Sequence, residues 1–281
     1  MTEHERPVTV VVDDVHVTYR VPSEEPDTPG SRGSGLRKLL GHARGHATHT
    51  IVPALRGISL VAHEGESIGI VGRNGSGKST LLRTIAGLTV PTRGRVLADG
   101  TPLLLGVSAA LMPNLSGKRN IILGGLAMGL SREEVEARFD DVVELAGIGA
   151  AIHRPMRTYS SGMSARLSFA IATAARPHVL LIDEALNTGD AEFRDRSQDR
   201  MKDLQEHAGT VFLVSHSLTT VTRTCTRALW IDSGRLRVDG PAYPVVQAYR
   251  EYFNLSRAEQ QAGRPKPPPP WEKDSPIEMP V

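Results

Sequence analysis

Gly72-Arg73-Asn74-Gly75-Ser76-Gly77-Lys78-Ser79 places three glycines, a lysine and a hydroxyl at the spacing of a phosphate-binding loop. Glycine lets successive backbone N–H groups turn toward one point, where they can cradle phosphate oxygens. Ser67-Ile68-Gly69-Ile70-Val71 before the loop reads as a strand, and Leu81 to Leu88 after it reads as a helix. The positive end of that helix would aim at the same oxygens. Such a loop handles a nucleotide: Lys78 is expected on the β- and γ-phosphates of ATP, Ser79 on Mg²⁺, and Thr80 with the loop residues on the nucleotide. Further along, Val179-Leu180-Leu181-Ile182 is a buried-strand run ending in Asp183-Glu184. Asp183 suits a Mg²⁺ contact, and Glu184 suits a general base that polarises the attacking water. Many core strands end in Asp-Glu, so the pair is specific only because it follows the phosphate loop.

Between these two sites lies Tyr159-Ser160-Ser161-Gly162-Met163. It resembles the signature motif of ABC-type ATPases, usually Leu-Ser-Gly-Gly-Gln, and the resemblance runs over roughly residues 8 to 250. The fold it implies is α/β: a P-loop NTPase of the ABC type, with a mixed sheet core and an inserted helical subdomain. It also implies that Ser160, Ser161, Gly162 and Met163 hold the γ-phosphate of ATP bound by a partner subunit. By the same resemblance His216, in Leu213-Val214-Ser215-His216-Ser217, is a switch histidine that contacts the γ-phosphate. Asp190, in Asn187-Thr188-Gly189-Asp190, falls where the family places a loop at the dimer interface. Tyr19 stands where an aromatic stacks on adenine, a contact worth about 1–3 kcal/mol; a strand-end tyrosine packed on the core is the alternative. One departure is clear. The family's glutamine between the phosphate loop and the signature is absent, because the first glutamine in the chain is Gln198 and Leu103 to Pro113 offers only Ser108 as a polar side chain.

Three segments are similar to the polysaccharide-exporting subgroup, as in teichoic-acid and O-antigen exporters. They are Tyr159 to Met163 with Ala165-Arg166-Leu167-Ser168-Phe169-Ala170, Met112 to Ile121 containing Pro113 and Asn120-Ile121, and Glu184 to Phe193. The Leu103 to Leu111 segment and the arginine-rich composition look most like actinobacterial exporters of lipid-linked cell-wall galactan. The resemblance therefore implies a homodimer beneath two copies of an integral-membrane subunit, with a lipid-linked glycan reached through that subunit. An ABC importer or drug-efflux ATPase is the alternative.

These residues need elements to position them. Val10, Val12, Val15 and Val17 mark a strand over Val8 to Tyr19, and Thr210 to Val214 marks another. Strands alternating with helices make an α/β domain over residues 1–253, with a helical subdomain at about 103–178. Ser131-Arg132-Glu133-Glu134 has the form of an N-cap with an acidic first turn. Residues 21–50 read as an inserted loop with one short amphipathic helix around Leu36, Leu39 and Leu40; it could face the bilayer or a partner, or be a solvated linker. His42, His46 and His49 lack a carboxylate or thiol companion and read as polar loop. Residues 254–281 are expected as a disordered proline-rich tail, too short for the carbohydrate-binding β-sandwich that some O-antigen exporters append.

Composition narrows the classes further. A formal net charge of +2 with no basic block argues against a nucleic-acid partner. A single cysteine, Cys225, excludes an internal disulfide and fits a reducing compartment. The opening Met1-Thr2-Glu3-His4-Glu5-Arg6 lacks the apolar run of a leader, and no stretch reaches the roughly 18 apolar residues of a membrane helix. A peripheral position on the cytoplasmic face of the membrane is therefore expected, with another chain crossing the bilayer.

Overall fold

The computed structural model describes residues 6–22, 49–105, 111–175, 177–183, 191–215, 217–261 and 277–278. The valines of the first strand show how the sequence builds the sheet. Val10, Val12, Val15 and Val17 are all buried on one side of β1 (Val8–Pro22). The step of three between Val12 and Val15 breaks the two-residue period, so the strand needs one extra residue to keep Val15 inward. It has one: the register with β2 (His49–His63) shifts there, and Asp14 takes φ 45°. β1 is the central strand of a three-stranded antiparallel sheet ordered β2-β1-β4, with β4 at Arg93–Ala98.

A second, seven-stranded sheet is ordered β10-β9-β8-β3-β7-β6-β5. Its strands are β3 (Ser67–Val71), β5 (Leu103–Leu105), β6 (Val179–Asp183), β7 (Thr210–Val214), β8 (Arg227–Asp232), β9 (Arg235–Pro241) and the short β10 (Ile277–Glu278). Pairing is parallel except between β8 and β9. Alternate side chains serve two cores, as strand geometry requires. Ile68, Ile70, Val179 and Leu181 pack toward the three-stranded sheet and helix α1 (Lys78–Ile85). Val71, Leu180 and Ile182 pack on the opposite face, with Trp230, Val245 and Val246. That second face is covered by α6 (Ala191–His207), α7 (Leu218–Thr224) and α8 (Ala242–Gln261).

The helical subdomain has its own core around Ile121, Val135, Val142, Ile152, Leu167 and Ile171. It contains α2 (Gly117–Ala127), α3 (Arg132–Ala137), α4 (Phe139–Ala146) and α5 (Ser161–Ala172). α3 begins as its sequence predicts, with a reciprocal capping box between Ser131 and Glu134.

Three boundaries differ from the sequence reading. Leu103–Leu105 is not the start of the helical subdomain but strand β5, paired with β6; a three-residue apolar run carries no period by which to tell strand from helix. The insertion is narrower than residues 21–50, because Val21, Pro22, His49 and Thr50 belong to the paired strands β1 and β2. The segment with Leu36, Leu39 and Leu40 lies outside the described residues, as do His42 and His46. Finally, the proline-rich tail does not begin at 254: α8 continues to Gln261, since Arg257 to Gln261 are good helix formers and the next proline is Pro265.

Candidate functional site

The phosphate loop joins β3 to α1, and its glycines are required by their surroundings. Gly72 has φ 155°, and a Cβ there would collide with the Ile231 carbonyl and stand 2.7 Å from Ser76 Oγ. Gly77 has φ 108°, and a Cβ would meet the Ala54 carbonyl at 2.7 Å. Gly75, at φ 78°, has open space where a side chain would stand. α1 starts with no side-chain cap, so the first-turn amides at Lys78, Ser79 and Thr80 are offered to whatever the loop holds. Ser76 is buried, and its Oγ has no hydrogen-bond partner among the described residues. Asn74 and Ser79 are exposed at the rim.

Lys78 is buried, and its Nζ donates to the carbonyls of Gly72 at 2.8 Å and Arg73 at 2.9 Å. Burial pushes its pKa down, while the nearby Asp183 carboxylate pushes it up. The ammonium is thus folded over the loop and drawn by the acid at the end of β6. β3 and β6 are not neighbours: β7 lies between them, with Ile70 and Asp183 both opposite Val214. The loop after β3, Asp183 on β6 and the segment after β7 therefore open at the carboxyl edge of one parallel sheet, where α/β folds bind ligands. Glu184, Asp190 and His216 lie outside the described residues.

Ser160, Ser161, Gly162 and Met163 form the start of α5, in the helical subdomain and away from the sheet edge in fold terms. Ser160 Oγ caps the helix by accepting from the Met163 amide at 3.2 Å. Among the described residues, a Cβ on Gly162 would come near Ser160 Oγ alone, at 3.9 Å. Tyr19 lies within β1, opposite Val52, and is 40% exposed. A ring that exposed is available for stacking and is not a core tyrosine.

Sequence reasoning missed three supports. Asn120 is buried, with Oδ1 accepting from Met112 N at 2.7 Å and Nδ2 donating to the Met112, Leu115 and Ser116 carbonyls at 3.1, 3.2 and 3.0 Å. It braces the Met112–Ser116 turn, a role that its place in the Met112 to Ile121 segment did not reveal. Arg73 of the loop sits over the Phe253 ring at 5.9 Å, tying the loop to α8. Gly69, inside β3, leaves room for Val221 of α7 and for Cys225 just after it, and burial pushes the Cys225 thiol pKa up.

A glycine cradle between a strand and an uncapped helix, with its lysine turned in toward a strand-end aspartate, defines a P-loop nucleotide-binding protein. Residues 55–187 match the protein family described as ABC transporter. The chain is 39% identical over 257 residues to the O-antigen export system ATP-binding protein RfbB of Myxococcus xanthus, covering 91% of this chain and 59% of the relative. It is 39% identical over 215 residues to the teichoic acids export ATP-binding protein TagH of Staphylococcus haemolyticus, covering 75% of this chain and 81% of that one. Against the Bacillus cereus TagH the identity is 44% over 200 residues, but only 36% of the relative's length is spanned. Among solved structures, a dimeric ATP-binding cassette in a post-hydrolysis state with ADP and Pi shares the fold, with TM-score 0.59 and 22% identity over 83% of this chain and 98% of that one. The chain belongs to the ABC transporter family, related to the O-antigen and teichoic acid export ATP-binding proteins. Among the described residues no helix is long and apolar enough to cross a membrane.

Proposed function

We propose that this chain binds and hydrolyses ATP to drive export of a lipid-linked cell-envelope polysaccharide, with galactan as the substrate. It would act as a homodimer on the cytoplasmic face of the membrane, held there by two copies of a membrane-spanning subunit. The observation that carries the ATPase reading is the cradle at Gly72–Ser79 with Lys78 folded over it beside Asp183. On nucleotide binding, Lys78 would exchange the Gly72 and Arg73 carbonyls for phosphate oxygens, and the uncapped amides of α1 would take the rest of the charge. Tyr19 would stack on the base.

The hard-oxygen donors Ser79 and Asp183 fit Mg²⁺, and Asp183 acts electrostatically on the loop lysine. Bound there, the ion would neutralise phosphate charge. Glu184 would take the proton of the attacking water, and His216 would contact the terminal phosphate. The first turn of α5 at Ser160–Met163 would close on the ATP of the second copy. The glutamine that the family uses beside the water is missing, and its segment includes residues 106–110, outside the described residues.

The decisive experiment is the ATPase rate of this chain co-expressed with its membrane partner, with and without lipid-linked glycans. Stimulation by galactan alone supports the full reading. Stimulation by a different glycan changes the substrate, and indifference to every glycan removes polysaccharide export while leaving the ATPase.

A further inference from the structure

Phe193, Arg196 and Arg200 follow one another at steps of three and four along α6, and so line one face of that helix. Each touches the carboxyl half of a helix in the other subdomain. The buried Phe193 meets Phe169 of α5 edge to face, with ring centroids 5.6 Å apart. Arg196 Nη1 donates to the Glu144 carbonyl in the last turn of α4 at 3.3 Å. Gly147, at φ 58°, ends that helix, and a Cβ there would stand 3.1 Å from Arg196 Nη2. Arg200 sets two donors on one oxygen: Nε at 3.1 Å and Nη2 at 2.7 Å from the carbonyl of Thr173, the buried C-cap residue of α5. Its remaining nitrogen, Nη1, lies 3.3 Å from Asp203. The last carbonyls of a helix have no partner within it and carry the negative end of its dipole. Two arginines of α6 therefore hold the negative ends of α4 and α5, and the planar fork suits an arginine where lysine offers a point charge.

The opposite ends of these helices carry the chemistry. α5 begins at the signature residue Ser160, and α6 begins at Ala191, directly after the segment containing Glu184 and Asp190. We propose that Arg200, supported by Arg196 and Phe193, is a positioning residue that couples the two nucleotide sites of the dimer. Through this clamp α6 and the signature turn that opens α5, which serves the partner's ATP, keep one relative placement. This rests on the dimer reading above.

The test is ATP-dependent dimerisation of the full chain in a Glu184→Gln background, measured by light scattering on a sizing column, alongside ATP affinity of the single chain. Arg200→Met keeps the stem and removes the donors. Glu184→Gln is expected to dimerise with ATP. Adding Arg200→Met should leave ATP affinity unchanged and weaken dimerisation about tenfold, the scale of two lost hydrogen bonds. Arg200→Lys should fall between. If the double variant dimerises as well as Glu184→Gln, the coupling role is overturned and the dimer reading stands. If Glu184→Gln binds ATP yet stays monomeric, the dimer reading fails and takes the proposal with it. If ATP affinity falls together with dimerisation, Arg200 supports the fold at large, which also overturns the coupling role. Should Arg200→Met not fold, Arg196→Met, which removes the bond to the Glu144 carbonyl, makes the same test.

Discussion

Lys78 faces two opposed influences, and their balance sets its behaviour. Burial favours its neutral form and Asp183 favours its charged form, with a net fall in pKa. The unfolded chain keeps this proton through the ordinary lysine range, whereas the folded chain releases it earlier. Between the two pKa values stability therefore gains as pH rises, while the attraction for phosphate is lost. ATP affinity, measured by titration calorimetry across the alkaline range, should decline at a lower pH than a free lysine would give. Lys78→Ala should cost about 100-fold or more in turnover, the scale of a lost donor to developing charge. Gly72→Ala tests the loop itself: its methyl group would meet the Ile231 carbonyl and Ser76. We expect lost ATP binding together with a lowered melting temperature, read by calorimetry. The glycine loop that holds Lys78 is legible in the sequence because a loop of eight residues is local. The obstacle beyond Gly72 is not, since Ile231 is brought there by β8.

Elements are held in register by a few polar anchors as well as by the two cores. Arg227 at the start of β8 is the strongest of these. Its Nε and Nη2 bind both Asp239 oxygens at 2.7 and 2.6 Å, and its Nη1 reaches the Val61 carbonyl at 2.8 Å and both Glu66 oxygens at 3.2 Å. One guanidinium thus ties β2, β8, β9 and the turn before β3 together. Hydrogen bonding to Asp239 first, with the charges of Asp239 and Glu66, raises its already high pKa. Removing one member of a largely buried cluster leaves the others uncompensated, so Arg227→Met should cost about 3 kcal/mol. The melting temperature should fall by roughly 6–12 °C, checked by thermal denaturation. Asp239 lies on the next strand of the same hairpin, but Glu66 is 161 residues from Arg227, and nothing in the spacing announces the cluster. The N-cap of α3 at Ser131, by contrast, is read correctly from four residues because cap and first turn are adjacent in sequence.

At the scale of the molecule, the phosphate loop and the signature turn occupy separate bodies with separate cores. A site that uses both from two chains would then close only when nucleotide bridges them. Glu184→Gln should therefore bind ATP normally, hydrolyse it at least about 100-fold more slowly, consistent with loss of a general base, and accumulate as a dimer on a sizing column. Unchanged turnover in that variant would remove Glu184 from the role of base.

The sequence alone was enough for the α/β class and for placing the phosphate loop between a strand and a helix, because each depends on neighbours along the chain or on a regular period. The β1 bulge could be suspected from its valines. What only the tertiary structure decided is the sheet order, which inserts β7 between β3 and β6 and brings the loop after β3, Asp183 and the end of β7 to one edge. The arginines of α6 on the ends of α4 and α5 belong to the same class. Strand order and helix-end contacts are set by which apolar faces bury one another across long loops, and spacing along the chain carries no record of that choice.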